Sequence, residues 1–219
     1  MVGTREVRRD LRRHCFRNLV YWSRGVDTQL FRPRPEVRLP CPRPILIYVG
    51  RVAVEKSIED FCRAEVAGTK LVVGGGPALK DLKRRYPAVA FTGYKYGEEL
   101  ATLLAGADCF VFPSRTDTFG LVMLEAMASG LPVAAYPVTG PIDVVRDGES
   151  GCLRPDLAQA IGASLGHKRD ACRAQALEYR WENATRQFLD SLVEARSHAP
   201  ARLPLRLRIS AALARFLSP

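Results

Sequence analysis

Pro113-Ser114-Arg115-Thr116-Asp117-Thr118-Phe119-Gly120-Leu121-Val122-Met123-Leu124-Glu125-Ala126-Met127-Ala128-Ser129-Gly130-Leu131-Pro132-Val133 carries one strongly apolar helical pattern between two sets of turn formers. It reads as a loop, a helix over Gly120–Ser129, a stop at Gly130 and Pro132, and a strand from Val133 to Tyr136. Upstream the same alternation repeats. Strand-length apolar runs at Ile45–Val49, Leu71–Val73, Val89–Thr92 and Cys109–Phe112 are separated by helical patterns from about Lys56, from Pro77 and over Gly97–Leu104. Five strands joined by helices predict an α/β fold, a Rossmann-like parallel sheet with helices on both faces. The crossovers should be right-handed. Asp147-Gly148 reads as a turn, and residues 156–196 read as helices.

The ends differ from this core. The 219 residues carry a net charge of +10, of which residues 1–43 supply +7 and residues 197–219 supply +4, leaving 44–196 at −1. We therefore read three parts: a basic N-terminal extension and linker (1–43) with an Arg-rich helix over 4–13 and one strand Leu19–Trp22, the α/β domain (44–196), and a basic tail (197–219). In the tail Leu205, Ile209, Ala212, Leu213 and Phe216 share one face of a helical wheel, with Arg208 and Arg215 off it. Such a segment suits either a docked terminus or peripheral contact with an anionic membrane. The N-terminal arm is poor in aromatics and the core has no basic stripe, so nucleic acid is not the expected partner. Six cysteines without a C-x-x-C pair read as reduced thiols, and no signal peptide or apolar run of about 18 residues stands out, so a cytoplasmic protein is expected.

In an open parallel sheet, ligands bind outside the carboxyl ends of the strands, where helix N-termini present free N–H groups. Three strand ends qualify. Gly50-Arg51 with Lys56 offers close backbone approach and two cations suited to a diphosphate, although basic residues near a turn are also simply solvated. Gly74-Gly75-Gly76 could admit a phosphate or form only a flexible turn. The third end is the most informative, because Glu125 is the single charged side chain from Thr118 through Ile142. A carboxylate on so apolar a helix is costly unless hydrogen bonds satisfy it, which suits a ligand's vicinal hydroxyls. Asp117, with the N–H groups of Phe119, Gly120 and Leu121, would surround the helix N-terminus. The plain alternative makes Asp117 the helix cap and bonds Glu125 to a neighbouring loop.

The stretch from Pro113 to Val133 resembles the signature of the retaining, GT-B-fold glycosyltransferases of family 4, called group 1. Supporting matches are Gly25-Val26-Asp27 with Phe31 and Pro33, Gly50-Arg51 with Glu55-Lys56, Gly74–Pro77, Phe91-Thr92-Gly93, and Asp147-Gly148-Glu149-Ser150-Gly151. The resemblance is strongest to the branch of sulfolipid synthases and α-mannosyltransferases. It implies the C-terminal, donor-binding domain of a GT-B fold and a hexosyltransferase that uses a nucleotide diphosphate sugar, GDP- or UDP-linked. By that resemblance Arg51 and Lys56 hold the diphosphate, Glu125 the ribose, and Asp117 with the following amides the sugar. The base would lie against Gly93-Tyr94-Lys95. No metal is implied, since cationic side chains and helix N-termini take its place. Asp117 stands where the family usually has the longer Glu. The acceptor-binding half of such an enzyme would precede Met1, in another chain or lost. The expectation is thus a glycosyltransferase polypeptide supplying the donor domain, and the alternative is a non-catalytic nucleotide-sugar-binding module or an inactive enzyme half.

Overall fold

The computed structural model describes residues 1–197 and contains six strands: β1 Ile45–Val49, β2 Thr69–Val73, β3 Ala90–Gly93, β4 Cys109–Phe112, β5 Val133–Ala135 and β6 Gly151–Leu153. All pair in parallel in one sheet of order β3-β2-β1-β4-β5-β6. Helix α1 (Arg5–Arg13) precedes the sheet. The crossovers carry α2 (Ile58–Arg63), α3 (Leu79–Arg85), α4 (Gly97–Gly106), α5 (Leu121–Ala128) and α6 (Pro141–Val144), and α7 (Leu157–Ser164), α8 (Arg169–Leu177) and α9 (Trp181–Ser197) follow. Strand side chains alternate between two cores. In β1, Ile45 and Ile47 pack into one, with Phe110, Leu124 and Met127, while Leu46 and Tyr48 pack into the other, with Phe61, Val72 and Ile161. Burial on both faces is why these strands read as continuous apolar runs.

The expected elements form, with boundaries set by local geometry. The helix expected from Lys56 is split: a 3₁₀ turn, Val54–Lys56, ends at Ser57, whose φ of 48° breaks the path before α2. The N-terminal helix forms as read, and the Thr4 hydroxyl accepts from Val7 N–H at 3.3 Å. Two readings are corrected. A sixth strand, β6, was missed because it is three residues long and opens on a glycine after a tight turn. The strand expected at Leu19–Trp22 does not form. Tyr21 makes only an isolated bridge with Val2, because no further extended segment lies beside it to continue a ladder.

Residues 22–31 are laid against the C-terminal helices, and Arg34 and Arg43 bond α4 and the turn after it. The Arg173 guanidinium on α8 donates to the carbonyls of Phe31 (2.6 Å), Ala128 (2.7 Å) and Thr28 (2.8 Å), and Trp22 Nε1–H donates to Ala184 O at 3.0 Å. All six cysteines are free thiols. Among the described residues no helix is long and apolar enough to cross a membrane. The basic tail beyond Ser197 lies outside the described residues.

The chain starts in the middle of the sheet, winds outward from β1 to β3, then returns beside β1 as β4 and winds the other way. At the boundary between β1 and β4 the following segments diverge, which opens a crevice at the carboxyl edge. The β1 loop lies tight against the β2 loop: Gly50 N–H donates to Val73 O (3.0 Å) and Val52 N–H to Gly75 O (2.9 Å). Gly74 sits between them at φ +135°, and a Cβ there would lie 1.9 Å from Gly50 O, whereas at Gly93 (φ +76°) a Cβ would meet nothing within 4 Å. Gly93→Ala should therefore cost only the left-handed penalty of about 1–2 kcal/mol. Gly74→Ala should cost more in urea denaturation, because its clash is with backbone; an equal loss at both positions would contradict the close approach.

Candidate functional site

The crevice between β1 and β4 is a cleft of about 500 Å³ lined by the ends of both strands and the start of α5. From β1 come Gly50, Arg51 and, one 3₁₀ turn later, Lys56. From the loop after β4 come Asp117, Phe119 and Gly120, followed on α5 by Leu121 and Glu125. Eight of the ten expected site residues therefore meet in one place, although they are up to 75 positions apart in sequence.

Tyr94 and Lys95 do not line this cleft. They follow β3, two strands away along the same edge of the sheet. The Tyr94 hydroxyl donates to Gly75 O at 3.0 Å and its ring stacks on Tyr96 at 6.2 Å, while Lys95 pairs with Glu99 at 3.3 Å. Tyr94 is 58% exposed, so one aromatic face remains open beside the glycine-rich turn.

Asp117 does not cap α5. Its carboxylate accepts from Lys56 Nζ at 2.6 Å, in a half-buried ion pair that ties the β4 loop to the 3₁₀ turn after β1. The N-cap of α5 is Gly120, at φ +80°, where a Cβ would come within 2.7 Å of the Met123 Cε. With no side-chain cap, the N–H groups of Phe119, Gly120 and Leu121 find no acceptor among the described residues. An uncapped helix start with a cation beside it attracts a bound anion.

Glu125, one turn into α5, is neither exposed nor bonded. No hydrogen bond reaches its carboxylate among the described residues, so the loop-bonded alternative is not what forms, and burial alone pushes its carboxyl above the ordinary value. Arg51 is mostly exposed and pairs with Glu55 at 3.2 Å, a contact that solvent renders weak and easily exchanged for a ligand.

Sequence reasoning missed two contributors. Tyr48 looked like one more core residue of β1. Its hydroxyl instead emerges at the cleft, donates to Arg51 O at 3.0 Å and lies under Gly50, where a Cβ would meet it at 2.7 Å. Burial, with Asp117 and Glu55 nearby, pushes its ionisation upward, so it stays a neutral donor. Arg24, stacked over Trp22 at 5.2 Å, also reaches the cleft from the N-terminal segment. The only signal for it was its place immediately before Gly25. Chemically, the cleft offers three cations and free amides to an anion, and two carboxylates to hydroxyl groups.

Comparison with known proteins identifies the family of the fold. Residues 43–167 match the family model of the glycosyl transferases group 1. The chain is 36% identical over 196 residues to the sulfoquinovosyl transferase SQD2 of Arabidopsis thaliana, covering 75% of this chain and 38% of that protein. It is 39% identical over 178 residues to a GDP-mannose-dependent alpha-mannosyltransferase of Mycobacterium tuberculosis, covering 73% and 47%. The sucrose-phosphate synthase structure from Thermosynechococcus elongatus superposes with a TM-score of 0.80 at 28% identity, covering 90% of this chain and 58% of that one. The chain thus spans about half the length of the relatives it matches. A Rossmann-like parallel sheet, its crevice at the β1/β4 boundary and the matched sequence agree, and the chain belongs to the glycosyl transferases group 1 family.

Proposed function

We propose that this chain is the donor-binding half of a retaining hexosyltransferase, and that its cleft holds a nucleotide diphosphate sugar without a metal ion. The carrying observation is the convergence of Lys56, Asp117, the uncapped α5 amides and the unpartnered Glu125 carboxylate at one strand boundary. In this reading Arg51, Lys56 and the α5 N-terminus take the diphosphate, and stabilise the charge that builds on it as the anomeric bond to phosphate breaks. The diphosphate competes for Lys56, which frees Asp117 to accept from a hydroxyl of the sugar. Glu125 accepts from the ribose hydroxyls, and the base reaches past the side-chain-free Gly74-Gly75-Gly76 toward Tyr94 and Lys95. The relative named GDP-mannose-dependent supports a GDP-linked donor.

The same proposal puts the acceptor half outside this chain, gives the protein a cytoplasmic location, and gives its basic ends peripheral contact with membrane. A second reading, a module that binds the donor without catalysis, is favoured by the chain spanning about half the length of its relatives: one half can bind a donor but cannot orient an acceptor. Radiolabelled sugar transfer, measured with and without the complementary half, separates the two.

Calorimetric titration with GDP and UDP, without and then with divalent metal, tests the donor site. Saturable binding that needs no metal is expected, and a strict metal requirement would count against the proposal. Lys56→Ala and Arg51→Ala should each weaken nucleoside diphosphate binding about tenfold or more, the scale of a ~1.5–3 kcal/mol charge-assisted hydrogen bond. They should leave binding of the uncharged nucleoside nearly unchanged; equal losses for both ligands would remove the phosphate assignment. Glu125→Gln should weaken nucleotide binding while raising thermal stability. Because burial raises the folded-state pKa, ionisation of Glu125 weakens the fold above the unfolded value, so the gain should be present near pH 7.5 and vanish toward about pH 4. A gain that instead grew on acidification would contradict an unpartnered carboxylate.

A further inference from the structure

The loop from Pro113 to Phe119 joins β4 to α5 and carries Asp117, yet no backbone hydrogen bond fixes it among the described residues. Side chains hold it instead. Asp117 pairs with Lys56 at 2.6 Å, the Thr116 hydroxyl donates to Glu55 O at 3.4 Å, and Arg115 reaches across to α2 and to the end of β5.

The Arg115 guanidinium lies 3.6 Å over the ring of Tyr136, the residue that follows β5, and donates to Asp60 Oδ2 on α2 at 3.4 Å. The Tyr136 hydroxyl donates to the same oxygen at 2.8 Å. Tyr136 is buried, and that burial, with the Asp60 carboxylate, pushes its phenol up to about 12, so it stays a neutral donor. A half-exposed ion pair is weak alone. Here stack, ion pair and hydrogen bond converge on one ring and one carboxylate, which anchors the loop two residues from Asp117.

This anchor matters because the ligand uses the other one. In the donor reading above, on which this inference rests, the diphosphate takes Lys56 and Asp117 turns to the sugar. The loop then keeps only Arg115 and the long Thr116 bond as polar ties to the β1–α2 segment. Arg115 does not line the cleft, so any effect it has on a ligand passes through the loop. We propose that Arg115 is a positioning residue for Asp117: clamped on Tyr136 and Asp60, it keeps the Asp117 carboxylate aimed at the sugar once the diphosphate occupies Lys56. Arg115 thereby governs recognition of the sugar and leaves binding of the free nucleotide alone.

Calorimetric titration of the full chain with GDP-mannose against GDP, and with UDP-glucose against UDP, tests this through the ratio of the two dissociation constants for the nucleotide that binds. Asp117→Asn should raise that ratio about tenfold, the scale of one charge-assisted hydrogen bond. Arg115→Ala should raise it severalfold with the free nucleotide unaffected, and Arg115→Lys, which keeps a cation over the ring, should restore most of it. In the Asp117→Asn background Arg115→Ala should add nothing, because the group it positions is gone. Should Arg115→Ala fail to fold by circular dichroism, Arg115→Met, which keeps an unbranched stem over the ring, replaces it with the same expectation. A normal Asp117→Asn effect beside a silent Arg115 variant, equal losses for both ligands, or additive losses in the double variant would each overturn this inference alone. An unaltered chain that binds neither pair would overturn the donor reading and the inference with it.

Discussion

Adjacent parallel strands whose chains depart in opposite directions cannot be covered by one connection, and the molecule is organised around the crevice this leaves. β1 and β4 are those strands. The Lys56–Asp117 pair, 2.6 Å across the crevice, clasps their two loops together. On its other side the β1 loop lies close against the β2 loop, with Gly74 against the Gly50 carbonyl. Backbone packing thus shapes the floor of the cleft, and the charged groups sit on that floor rather than create it.

The cleft keeps several groups in an unfavourable state. The α5 amides lack a cap, and the Glu125 carboxylate is desolvated without a partner. Each arrangement costs stability in the free protein, and in the proposed function each is satisfied by a polyhydroxylated anion. Stability sacrificed at one place and recovered in packing elsewhere is the ordinary signature of a binding site. Here the recovery comes from two dry cores, whose largest members, among them Phe61, Phe110, Leu124 and Met127, are fully buried.

Within the N-terminal segment, residues 22–31 are held by α8 and α9. Arg173 gathers three carbonyls from two separate segments, a fork of donors that a lysine could not reproduce. This docking delivers Arg24 to the cleft.

Much was legible from local pattern. The apolar runs at Ile45–Val49 and Cys109–Phe112 became strands with those limits, because burial on both faces leaves no polar position to blur them. Glu125 was legible as an isolated charge, and Arg51 and Lys56 as cations following a strand and a glycine. Strand β6 was not, since three residues carry too little periodicity, and Leu19–Trp22 had strand composition without a neighbour to pair with. Tyr94 and Lys95 fell outside the cleft because distance across a sheet follows strand order, which local sequence does not encode. By itself the sequence determined the fold class, the alternation of strands and helices, and the cations and carboxylates available to the cleft. Tertiary structure alone decided that Asp117 pairs with Lys56 instead of capping α5, and that Tyr48 and Arg24 reach the cleft. Those outcomes depend on which side chains from distant segments become neighbours, and periodicity says nothing about that.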